Sequence, residues 1–187
     1  MDIREALRRA VGGFDRRIEA MSAAQWHGPT PCSEWDVHAL VNHVVYELRW
    51  IPPLLAGSTV DEVGDRFEGD LLGDDPRGAW KAAARDALDA AGRGGVLTQP
   101  VQLSSGERSG EDYLTEVTTD VTVHTWDLAR AVGADERLDP ELVEVAYAML
   151  EPQVEEWRAG GAFGAAVTVP AGADRQTQLL ALVGRQA

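Results

Sequence analysis

Asp120, His124 and Asp127 recur at i, i+4 and i+7 in Thr118-Thr119-Asp120-Val121-Thr122-Val123-His124-Thr125-Trp126-Asp127-Leu128-Ala129. On a helix that spacing sets all three along one face, within about 60° of one another. Two carboxylates and an imidazole on one stripe suit a divalent metal, provided another helix brings a further ligand. His43 can supply it: it lies in the apolar run Leu40-Val41-Asn42-His43-Val44-Val45, on a face with Asp36, Leu40, Glu47 and Trp50. His43, Asp120 and His124 together would form a facial set with coordination positions open for water or substrate. The plainer alternative is a core histidine satisfied by one hydrogen bond and an Asp-x-x-x-His pair that arose by accident.

The neighbouring residues divide in the same way. Asp127 could be a fourth ligand, a partner that orients His124, or a mate for Arg130. One of the last two is preferred over a fourth ligand, because a metal-bound histidine needs its other nitrogen held. Glu47, one turn after His43, is a candidate base or extra ligand. Cys32 stands near the expected start of a helix, where the dipole favours a thiolate; a small buried side chain fixing the loop is the plainer reading. Six tryptophans are present; they are core by default, and only Trp50 shares the His43 face and could line a pocket. His27, beside Gly28 and Pro29, reads as an exposed loop residue. His38 is about 140° around the helix from His43 and falls on the polar side with Glu34. There is no glycine-rich phosphate loop, Gly-x-Ser-x-Gly elbow or Cys-x-x-Cys pair.

The elements that must position these residues read as helices. Ile3, Leu7, Ala10, Val11, Phe14, Ile18 and Met21 recur at helical spacing over residues 2–22. A second helix is expected from an N-cap at Ser33 to about Trp50, ended or kinked by Pro52-Pro53. Residues 57–75 read as a long acidic loop, of a length often used for lids. Asp75-Pro76 starts a third helix, to about residue 92, with Trp80, Ala83, Ala84, Ala87, Leu88 and Ala91 inward. Residues 96–103 read as a short extended piece, followed by a turn. Ser109 caps a fourth helix that carries the metal stripe to Ala131 and stops at Gly133. Asp139-Pro140 starts a fifth, to about 159, kinked at Pro152. A strand-like scrap at 166–169 and a short element at 176–183 complete the chain. This pattern predicts an all-α bundle in a single domain, residues 1–187.

Composition narrows the partners. The formal charge is −14, from 17 basic and 31 acidic residues, which argues against a nucleic-acid or anionic-membrane partner. One cysteine excludes an intrachain disulfide. Neither a signal peptide nor a membrane span is expected, which points to a cytoplasmic protein.

Two segments resemble a known family. Thr30-Pro31-Cys32-Ser33-Glu34-Trp35-Asp36-Val37, followed by Leu40-Val41-Asn42-His43, is similar to the second-helix signature of the DinB-like, mycothiol-dependent maleylpyruvate isomerase N-terminal-domain proteins. Thr119 to Ala131 resembles that family's metal-bearing helix. Gly161-Ala162-Phe163-Gly164 and Leu179-Leu180-Ala181-Leu182-Val183-Gly184-Arg185 resemble the ending of a small single-domain subgroup. The resemblance implies a DinB-like four-helix bundle with a short additional C-terminal segment. It implies a divalent metal, commonly zinc with nickel or another ion as alternatives, on His43, Asp120 and His124. The family's middle ligand looks like a glutamate, so Asp120 is one methylene shorter. The isomerase's separate C-terminal domain is not expected here.

The resemblance, joined to the candidate ligands, leads to an expectation of metal-dependent thiol chemistry. Mycothiol would be the co-substrate and a small electrophile its partner, through S-transfer or thiol-assisted isomerisation. Trp50, Arg49 and Arg130 are candidate binding residues, and the family leaves a homodimer open. Two other classes stand beside this: a thiol-independent metallohydrolase on the same ligands, and a non-catalytic bundle that binds metal or a small molecule.

Overall fold

The structure, a computed structural model, describes residues 1–161 and 163–187. Ala162, within one of the closing segments that carried the resemblance, lies outside the described residues. Four long helices form the body: α1 (Ile3–Ala20), α2 (Val37–Leu55), α4 (Pro76–Ala91) and α5 (Gly110–Val132). α1 packs on α5 and α4, and α2 packs on the same two, closing a four-helix ring. Among the described residues no helix is long and apolar enough to cross a membrane.

Each of the four long helices starts where a side chain satisfies orphan N–H groups. Asp2 caps α1, Asp75 caps α4 ahead of Pro76, and Ser109 caps α5. The cap of α2 differs from the sequence reading. It is Asp36, accepting from the Ala39 N–H at 2.8 Å, and Ser33 lies in the preceding loop. That loop is tied by a bridge between Pro29 and Asp36 and by the Thr30 hydroxyl, which donates to the carbonyls of Cys32 and Trp35. α2 also runs through Pro52 and Pro53 to Leu55. Each proline lacks an N–H, yet buried Ile51, Leu54 and Leu55 hold the last turn against the core.

Inside the ring Leu7, Phe14, Ile18, Leu40, Val44, Leu48, Trp80 and Leu114 are fully buried. Trp80 meets Phe14 at 4.8 Å between ring centroids and donates its Nε1–H to Asp15. The acidic segment is held in place rather than open. It contains a one-turn helix α3 (Val60–Val63) with a Thr59–Glu62 capping box, buries Leu72, and is pinned by Asn42 to Gly69 and Leu71. The extended piece is half of an antiparallel hairpin, β1 (Pro100–Leu103) with β2 (Gly106–Ser109).

A second layer covers the outer side of α5. α6 (Pro140–Leu150) packs on α5, and α8 (Arg175–Leu182) packs on α6. Val123, Trp126, Val143, Ala146, Leu150, Leu179, Leu180 and Val183 form its core. The expected fifth helix is broken around Pro152 into α6 and a short α7 (Val154–Ala159). Residues 166–169 form no strand; Val167 donates to the Ala181 carbonyl instead. The strip of α5 carrying Asp120 and His124 therefore lies between the ring and the tail.

Candidate metal centre

The α2–α5 contact brings His43, Asp120 and His124 together, with His43 and Asp120 77 positions apart in the chain. One donor atom from each lies within 4.8 Å of the other two. His43 Nε2 is 3.3 Å from Asp120 Oδ2, and His124 Nε2 is 3.4 Å from Asp120 Oδ1. The imidazoles meet edge-on, 5.0 Å between centroids. Asp120 Oδ2 is buried, and although His43 Nε2 stands 3.3 Å away the pair does not have the direction of a hydrogen bond. Two imidazole nitrogens and a carboxylate oxygen with an unspent acceptor are the donor chemistry a zinc-type ion takes, so the residues fit such an ion.

Asp127 stands behind His124 and does not face the cluster's open side. Its side chain is fully buried and accepts from His124 Nδ1 at 2.9 Å. Arg185 grips both of its oxygens, Nε to Oδ1 at 3.2 Å and Nη2 to Oδ2 at 2.9 Å. Cys32 Sγ lies 3.4 Å from Oδ2 and 3.4 Å from Arg185 Nη2. Cys32, His124 and Asp127 also cluster, but the guanidinium already occupies the place a cation would take. Cys32 precedes the first turn of α2 by several residues, so the helix-dipole argument for a thiolate does not apply.

Burial and charge oppose each other here. Burial alone would raise Asp120, but His124 and His43 hold it well below the usual carboxylate range. Burial alone would lower His124, but Asp120 and Asp127 hold it well above the ordinary imidazole value. Burial, followed by the Asp120 charge, pushes Glu47 up to about 7 against the weaker opposing pull of His43 and His124.

The cluster opens onto a cavity of about 610 Å³. Its walls include Cys32, Trp35, Glu47, Trp157, Phe163 and Arg185, beside the three candidate ligands. Trp35 covers both imidazoles, 4.7 Å from His43 and 5.7 Å from His124 between centroids. Trp157 and Phe163 stack nearly parallel, 5.9 Å apart. A smaller pocket of about 270 Å³ lies on the other side of Trp35 and His43, against Phe67 and Gly69.

Three residues expected to bind substrate lie elsewhere. Trp50 is buried between Tyr46 and Phe67 and lines neither of these two cavities. Arg49 faces Asp86 of α4 at 3.7 Å. Arg130 pairs with Glu136 and covers Trp126. Periodicity puts a residue on a face but cannot say how far along the helix a cavity extends. Trp35 and Arg185, which do line the cavity, belong to segments already marked by the resemblance; their inward direction is set by a loop and a tail that have no periodicity to read. His27 is exposed and meets Asp36, and His38 lies 3.7 Å from Asp70, both away from the cluster.

Known proteins share this architecture. The chain superposes on a crystal structure of a mutant mycothiol-dependent maleylpyruvate isomerase with a TM-score of 0.65. Identity there is 15%, over 89% of this chain and 75% of that one, so the likeness is one of fold. Two uncharacterized proteins of Mycobacterium tuberculosis, Rv0738 and MT0763, are each 35% identical over 161 residues, covering 82% of this chain and 82% of theirs. The sequence profile of the mycothiol maleylpyruvate isomerase N-terminal domain matches residues 7–129, which include all three candidate ligands. The chain belongs to the mycothiol maleylpyruvate isomerase N-terminal domain family.

Proposed function

We propose that the protein is a metal-dependent enzyme of thiol chemistry, a single domain in which His43, Asp120 and His124 hold a divalent ion such as zinc. Its co-substrate is a low-molecular-weight thiol, mycothiol, which it adds to a small electrophile or uses to assist an isomerisation. The observation that carries this reading is the convergence of three donor atoms at the wall of a cavity of about 610 Å³, a size typical of small-molecule sites. Family membership supports the choice of thiol.

A bound divalent ion supplies Lewis acidity that lowers the pKa of a thiol. The chain's own residues do the rest. Asp127 takes the His124 Nδ1–H and leaves Nε2 directed at Asp120. Trp35 shields the imidazoles from water on one side. Glu47 lines the same cavity, and its carboxyl is placed to take the proton a thiol gives up and return it to the substrate.

The test is metal analysis of the purified protein and its His43→Ala variant, with turnover of a neutral α,β-unsaturated ester, which offers both an alkene for thiol addition and a bond for hydrolysis, measured with and without mycothiol. The expected result is one equivalent of metal in the wild type, none in the variant, and mycothiol-dependent turnover. Hydrolysis that proceeds without thiol would replace this reading with a metallohydrolase; absence of stoichiometric metal would end both.

A further inference from the structure

We infer that Arg185 is a positioning residue of the metal centre, holding His124 in one orientation through Asp127. The inference rests on the metal-centre reading above. Arg185 meets both oxygens of Asp127 at 3.2 and 2.9 Å, the planar fork that a guanidinium offers and an ammonium does not. The fork fixes the plane of a fully buried carboxylate, and that carboxylate accepts from His124 Nδ1 at 2.9 Å. Nδ1 is thereby spent, and Nε2 is the nitrogen left facing Asp120. Partners of this kind set both the tautomer and the ring angle of a ligating histidine.

The arginine arrives from the last residues of the chain, 58 positions beyond Asp127 and outside the segment matched by the family profile. Its delivery is built into the backbone. Gly184 turns the chain after α8 with φ +77°, and a Cβ there would stand 3.1 Å from the Ala165 carbonyl oxygen. The Arg185 N–H then donates to Leu180 O at 2.8 Å, and Nη1 donates to Val183 O at 2.8 Å. These bonds aim the side chain inward, where it is 13% exposed. Nη2 also reaches Cys32 Sγ, so the tail ties the α2 loop and α5 at one point.

A plain structural ion pair would show the same distances, so the test must separate the two. Zn²⁺ affinity is measured by chelator competition, and the visible spectrum of the Co²⁺-loaded protein is recorded. The proteins are wild type, Arg185→Met, Arg185→Lys, Asp127→Asn and the Asp127→Asn/Arg185→Met double variant. Arg185→Met is expected to weaken Zn²⁺ binding about 10–100-fold and to change the Co²⁺ spectrum. Arg185→Lys keeps the charge without the fork and is expected to fold as wild type yet bind more weakly. The double variant is expected to bind no more weakly than Asp127→Asn alone, because Arg185 acts through Asp127. The double variant leaves no unpaired charge buried, so it carries the comparison if Arg185→Met does not fold. Wild-type affinity and spectrum in both single Arg185 variants, or losses that multiply in the double variant, would overturn the inference. Failure of the wild type to bind Zn²⁺ would overturn the metal-centre reading itself.

Discussion

A carboxyl group buried near the Asp120 charge gains little by ionising, and Glu47 is in that position. Its pKa rises from 4.5 to about 7 in the folded chain. Below the lower value both folded and unfolded chains keep the proton. As pH rises through that window the unfolded chain loses its proton and the folded chain does not, so stability falls and stays lowered above pH 7. Glu47→Gln should therefore stabilise the metal-free protein by about 1–3 kcal/mol at pH 8, with the gain vanishing near pH 4.5. Urea titrations of both proteins at the two pH values check this; a gain independent of pH would mean the carboxyl is not desolvated. His124 titrates in the opposite sense. Asp120 and Asp127 outweigh burial and hold it protonated in the metal-free protein, while a metal takes the neutral ring. Binding should release that proton, and affinity should fall about tenfold per unit decrease in pH for each proton displaced. Chelator competition at pH 6, 7 and 8 measures it, and a flat profile would remove His124 from the ligand set. The spacing of Asp120, His124 and Asp127 put them on one face; it could not rank them. Burial ranks them: Asp127 is closed off behind Arg185, and Asp120 keeps an oxygen that makes no directed hydrogen bond among the described residues.

At the level of elements, the turn that leads into the hairpin packs tightly on the first residues of α5. Gly110 donates to Gln99 O and lies against the Val96–Leu97 backbone, where an added Cβ would collide with the Val96 carbonyl. Neither side of that contact is a flexible side chain that can swing away. Gly110→Ala should cost about 1–3 kcal/mol or more, seen as a lower urea midpoint with an unchanged slope. An unchanged midpoint would mean the hairpin lifts freely. This contact was not legible in the sequence, because Gly110 reads only as the residue after a cap. The helices themselves were legible wherever an apolar stripe and a cap agreed, as in α4 and α5, and α1 was legible from its stripe alone. They were misjudged where one local rule met a tertiary contact. Pro52-Pro53 argued for an end or a kink and put the helix's last residue near Trp50, yet it continues to Leu55, where the core contacts of Leu54 and Leu55 outweigh two missing donors. Ser33 was as good a cap by composition as Asp36, and only the strap formed by Pro29, Thr30 and Trp35 decides between them.

Across the whole molecule, the proposed ligands staple two sides of the helical ring, His43 on α2 and the other two on α5. Unfolding separates those helices, so an ion that binds only the folded chain must raise its stability by mass action. At a free concentration 100 times the dissociation constant the gain is about 2.7 kcal/mol. For a chain of this length each kcal/mol moves Tm by about 2–4 °C, which gives a rise of roughly 5–10 °C. The net charge of −14 complicates the experiment, because any divalent cation relieves self-repulsion a little. Mg²⁺ at matched ionic strength is the control, since it prefers oxygen ligands and bound water to imidazole. Thermal melts of chelator-treated protein should therefore respond to Zn²⁺ by several degrees more than to Mg²⁺. His43→Ala should flatten the Zn²⁺ response without altering the Mg²⁺ response. Equal shifts for the two ions, or a Zn²⁺ shift that survives the loss of His43, would show that the cation binds the acidic surface and not the α2–α5 cluster.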